Sequence, residues 1–132
     1  MVLKTFKTFL EEEDNAIQNI ESNPTYKLKN NFSEEINSIM QWIQQNPEAK
    51  YEEIKNRMLN FRNNIASLNI DLLKNISNYA VEVAYKKIYD KLIRKLNEFE
   101  NPPSDVKAIL DEVFNILNSF HAFIQSKIAV AI

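Results

Sequence analysis

The sequence predicts an all-α fold: an antiparallel bundle of four to five helices forming one domain across residues 1–132. Three observations carry this. None of the 132 residues is glycine, so turns must be built from residues with a Cβ atom. Apolar side chains return every three or four positions over most of the chain, the spacing of a helix face. Asn, Pro and Ser interrupt those stripes, and no segment alternates with the two-residue period of a surface strand.

The first helix is predicted from about Val2 to Ser22, where Leu3, Phe6, Leu10, Ile17 and Ile20 make a stripe interrupted by Glu13. Asn23-Pro24 ends it, because the residue before proline is pushed off helical backbone angles. Tyr26 and Leu28 are read as a short helical turn ahead of Asn30 and Asn31, a pair suited to turns and caps. A second helix is expected from Asn31 or Ser33, with Asn31 and Glu34 spaced as in a capping box and Ile36, Ile39, Met40 and Ile43 as its apolar face. Asn46-Pro47 closes it and is expected to start the next helix, with Asn46 as N-cap.

From Tyr51 the seam Ile54, Met58, Phe61, Ile65 and Leu68 has heptad quality, and Leu72, Ile76, Tyr79, Val83, Ile88, Leu92, Leu96 and Phe99 continue it. One unbroken rod over 51–99 would be about 75 Å long at 1.5 Å per residue, too long for a compact domain. A break is therefore expected between Ser67 and Asp71, with Asn69 capping the following helix. Asn101-Pro102-Pro103 is the strongest stop. Ser104 as cap and Asp105 as first-turn acid then restart a helix whose face is Val106, Ile109, Leu110, Val113, Ile116, Leu117, Phe120 and Ile124, running to about Ile128.

Composition bounds the chemistry. Without glycine there is no phosphate-cradling loop, and without cysteine there is no disulfide or thiolate metal site. His121 is the only histidine, so two-histidine metal sites and paired Glu-x-x-His motifs are excluded within one chain. No catalytic residue and no cofactor is expected. A net charge of −2 argues against strong nucleic-acid binding. Lys4 and Lys7 break up any signal-peptide core and no apolar run reaches the roughly 20 residues of a span. The expectation is an intracellular, cytoplasmic chain that avoids membranes and small-molecule substrates.

Several stretches admit both a structural and a functional reading. The acids Glu11, Glu12, Glu13 and Asp14 read first as a solvated helix face, with Glu13, on the stripe, marking either a polar contact in the bundle or a partner groove. The N-terminal Val2, Leu3, Phe6, Phe9 and Leu10 with Lys4 and Lys7 fit core packing, or an anionic membrane surface as the alternative. The apolar tail 128–132 either packs or pairs with another chain. Lys87, Lys91 and Lys95, with Lys86 and Arg94 beside them, form a basic face. Interleaved Glu82, Asp90 and Glu98 offer them ion pairs at helical spacing. Trp42 lies about a quarter turn off the Ile36, Ile39 and Ile43 stripe, and tryptophan is the residue type most enriched in binding hot spots. Met40, Trp42 and Met58 are the candidate partner-binding residues.

Residues Ile39, Trp42, Ile43, Asn46, Ala49, Glu52 and Glu53, with their spacing to Asn63 and Ile65, resemble the helical lid of the seventy-kilodalton heat-shock chaperones. Ile20-Glu21-Ser22 and Tyr26-Lys27-Leu28-Lys29-Asn30 resemble the preceding lid helix. The resemblance covers about residues 20–65 and implies a helical subdomain without catalytic residues that covers a peptide-binding β-sandwich. The expected function is thus a non-catalytic protein–protein interaction module, adaptor or chaperone-like, using helix-in-groove recognition. The alternative is a self-assembling viral, phage or organelle subunit whose partner is itself, motivated by the seam over 51–99. A nucleic-acid binder acting through Lys87, Lys91, Arg94 and Lys95 ranks third.

Overall fold

The computed structural model describes residues 23–128. Among them are four helices and no strand: α1 (Pro24–Gln45), α2 (Tyr51–Lys74), α3 (Tyr79–Asn97) and α4 (Val106–Lys127), with a 3-10 turn at Glu98–Glu100. The all-α bundle therefore stands. The expected helix over 2–22, Glu13, the acidic run 11–14 and the tail beyond Ile128 lie outside the described residues.

α1 starts seven residues or more before the expected point. Asn23 Oδ1 accepts from the backbone N–H groups of Thr25 at 2.9 Å and Tyr26 at 3.3 Å, and Pro24 sits where a missing N–H leaves no helical bond unmade. The Asn-Pro pair that ends one stripe thus begins the next helix. Asn30 and Asn31 are interior to α1, because Phe32 and Ile36 are buried on its face and hold that turn helical.

Asn46 does not cap α2. That helix begins at Tyr51 after Lys50, which makes no side-chain cap bond, while Asn46 closes α1 by donating its Nδ2 to Trp42 O at 2.9 Å. The same device closes α2, where Asn75 Nδ2 donates to Asp71 O at 2.8 Å. No described residue has positive φ. These two asparagines therefore substitute a side-chain amide for the left-handed residue that commonly ends a helix.

The break expected over Ser67–Asp71 is displaced to residues 75–78, and Asn78 rather than Asn69 caps α3, accepting from Val81 N at 3.2 Å. Asn69 stays helical because its side chain has a tertiary partner: Tyr85 Oη donates to its Oδ1 at 2.8 Å. Replacing Asn78 with alanine is expected to lower stability by about 1 kcal/mol, read as a shifted midpoint in urea at unchanged slope. α3 ends at Asn97 and Phe99 falls in the 3-10 turn. Asp105, not Ser104, caps α4, accepting from Ala108 N at 3.1 Å.

Contacts between chain-distant residues fix the antiparallel order. Thr25, at the start of α1, donates its hydroxyl to Asn75 Oδ1 just past the end of α2, at 3.1 Å. Tyr51, opening α2, donates to Phe99 O beyond the end of α3 at 2.5 Å. Lys95, late in α3, meets Glu112, early in α4, at 2.5 Å, and Lys29, early in α1, donates to Ile128 O after α4 at 2.7 Å. Each helix therefore flanks two others. Burial lowers the Lys29 pKa.

The core is one cluster in which Phe32, Met58, Ile65, Leu72, Tyr85, Leu92, Leu117 and Phe120 are fully buried. Its centre is aromatic. Phe120 meets Phe32 edge-on at 5.7 Å between centroids and lies 5.4 Å from Tyr85 and 6.3 Å from Tyr89. Three helices are joined there. No helix among the described residues is long and apolar enough to cross a membrane.

Candidate functional site

Trp42 stands in the last turn of α1, half-buried against the core, as its position off the stripe implies. Arg57, one helix away on α2, places its guanidinium carbon 5.4 Å from the indole centroid. That cation–π contact fixes one face of the ring and adds about 0.5–1 kcal/mol at a site this open.

Around the indole lies a groove of about 450 Å³, set between the α1–α2 connection and the first turns of α4. Trp42, Ile43, Ala49, Ile54, Val106 and Leu110 give it an apolar lining, while Asn46, Lys107 and Asp111 supply polar groups. Three local causes build it. Asn46 folds back on Trp42 O and turns the chain sharply, Pro47 cannot continue a helix, and the Asp105 cap starts α4 with Val106 facing the connection. The result is an apolar recess with one acidic and one basic group, suited to an apolar side chain from a partner.

The other two methionine and tryptophan candidates divide. Met40 is half-buried and packs against the core. Met58 is 0% exposed, so it holds the bundle together and cannot contact a partner. Its place in the Ile54, Met58, Phe61 seam is what buries it. Ile54, Val106 and Leu110 were legible only as stripe residues. Their meeting with Trp42 depends on which helices become neighbours, a tertiary fact that no local pattern contains.

The basic face on α3 also divides. Lys86 pairs with Glu82 at 3.2 Å, and Lys95 pairs with both Glu98 at 3.4 Å and Glu112. The hydrogen bond to Glu112, chiefly, raises the Lys95 pKa. Lys87, Lys91 and Arg94 make no ion pair with any described residue. Lys87 and Lys91 instead border a second groove of about 290 Å³ between α3 and α4, with Ile88 and Ile116 as apolar lining and Asn115 and Ser119 opposite. Interleaved acids neutralise only part of the row, since Glu82 pairs with Lys86 and Glu98 with Lys95 while Asp90 makes no ion pair with a described residue.

His121 is half-buried on α4, and no cluster of three potential metal-ligating side chains occurs among the described residues. Among the described residues two large apolar side chains stand in water near one end of the bundle: Ile70 at 56% exposure and Tyr79 at 79%. Comparison of the chain with protein-family models, with curated proteins and with solved structures finds no match.

Proposed function

We propose that this chain is a non-catalytic helical interaction module whose Trp42 groove accepts the apolar face of a partner protein's helix. The carrying observation is the groove itself. The sole tryptophan is held by Arg57 over an apolar recess about 450 Å³ in size, with Lys107 and Asp111 among its lining residues. Such a recess supports helix-in-groove recognition, in which one or two apolar anchors supply most of the affinity and the charged rim sets orientation. The likeness of residues 20–65 to a chaperone lid suggests an adaptor or chaperone-like form of this role.

Exposed Ile70 and Tyr79 favour a second reading, a self-assembling subunit in which another copy covers that end. One experiment addresses both. A photoreactive phenylalanine analogue replaces Trp42 in one preparation and Tyr79 in another, and each is irradiated in extract of the native cell. The interaction reading expects position 42 to capture one discrete helical segment of another protein, and the Trp42→Ala chain to keep its circular dichroism while binding that partner about 30-fold more weakly. Adducts to the chain's own residues from position 79, with none to other proteins from position 42, replace it with self-assembly.

A further inference from the structure

We infer that the groove between α3 and α4 is the docking site of this chain's own N-terminal segment, with Glu11–Asp14 seated against Lys87 and Lys91. This groove is separate from the one at Trp42, so the two assignments stand or fall independently.

Charge is the first ground. Residues 1–22 carry five acids against two lysines, and four of those acids are consecutive at Glu11, Glu12, Glu13 and Asp14. Lys87, Lys91 and the nearby Arg94 form a cationic row with no ion pair to any described residue, while Lys86 and Lys95 on the same helix are neutralised. An acidic segment laid along that side of α3 meets the cations that the bundle leaves uncompensated.

Apolar content is the second ground. The groove is lined by Ile88 and Ile116 between its lysines and the polar Asn115 and Ser119. The N-terminal segment brings Phe9 and Leu10 immediately before its acids and Ile17 shortly after them. Both surfaces thus set apolar side chains beside charged ones.

Reach is the third. The described chain begins at Asn23, at the end of the bundle that also holds the α2–α3 connection and the end of α4. Lys87 and Ser119 lie eight residues from Tyr79 and Lys127, the ends of their helices, about 12 Å into the groove at 1.5 Å per residue. Asp14 lies nine chain positions before Asn23, and extended those steps span up to about 30 Å. That exceeds the roughly 23 Å needed to cross two interaxial distances of up to about 10 Å each and descend to Lys87. A tether of this length holds the segment at a local concentration in the millimolar range, so weak contacts suffice to seat it.

The test treats the full chain with a zero-length carbodiimide, which joins a lysine amine to a carboxylate in direct contact, and identifies the linked peptides by mass spectrometry. Lys95–Glu112 serves as an internal control, being in contact in the bundle. The expected result is linkage of Lys87 or Lys91 to Glu11–Asp14, in about tenfold excess over linkage to exposed Lys50 and Lys74. In a mixture of light and isotope-labelled chains, those links join residues of the same molecule. The variant Lys87→Glu, which leaves Lys91 as the reporting amine, keeps the control link and lowers the link from Lys91 to the N-terminal acids about tenfold. The proposal is overturned if the control forms without the N-terminal links, if the acids link equally to all exposed lysines, or if the links join light to labelled chains.

Discussion

Phe120→Ala is expected to remove about 4 kcal/mol of stability, most of the margin of a domain at the low end of the usual range. The side chain is fully buried and touches three aromatic rings contributed by α1 and α3. Truncation loses the transfer free energy of the ring, leaves a cavity that four packed helices cannot close, and cancels aromatic pair terms of about 0.5–1.5 kcal/mol each. Net stabilities of domains are only about 5–15 kcal/mol. Urea unfolding followed by circular dichroism measures the loss. Phe120→Leu, which refills most of the volume, is expected to recover more than half of it; equal damage from both variants would show that ring geometry, not volume, holds the centre.

Alkaline pH should unfold the chain through the buried tyrosines. Burial, and then the neighbouring Tyr89, push the Tyr85 pKa up, and burial followed by Asp90 does the same to Tyr89. In the unfolded chain each phenol ionises near pH 10, while in the bundle ionisation is delayed to higher pH, most for Tyr85, so just above pH 10 the native state holds more protons than the unfolded one. The sign follows: this contribution is complete below about pH 10 and falls above it, by up to about 1.4 kcal/mol per pH unit for the deeply buried Tyr85 and by less for the more open Tyr89. Tyr85 also donates its proton to Asn69 Oδ1, a bond that ionisation destroys. Tyr85→Phe is therefore expected to lower stability at pH 7 by about 1–2 kcal/mol, by orphaning the Asn69 carbonyl oxygen. It should also reduce the slope above pH 10. Parallel alkaline curves for variant and parent would show that Tyr85 ionises freely in the fold.

The apolar stripes were legible because burial imposes the helical period on them directly, and the proline stops at 47 and 102–103 were legible because ring closure forbids continuation. What misled was asparagine. Its carboxamide is equally able to cap a helix start, close a helix end or serve a distant hydroxyl, and the chain uses Asn78 for the first, Asn46 and Asn75 for the second and Asn69 for the third. Local pattern cannot choose among these, since the choice depends on which groups lie across the bundle. The candidate site shows the same division. Trp42 declares itself by standing off the stripe, whereas Val106 and Leu110 look like ordinary core residues until the start of α4 is placed beside the α1–α2 connection.

Closing helix ends with asparagine amides also acts on the unfolded chain. A glycine joint passes from an unusually wide set of backbone conformations to one, and Gly→Ala replacement at a compatible site gains about 0.4–1 kcal/mol by narrowing that set alone. With every described joint at negative φ and no glycine anywhere in the sequence, the disordered chain already has a Cβ restricting each residue at which the helices must turn. The bundle thus gains stability from the narrowness of its denatured ensemble, a contribution that no contact in the folded state records.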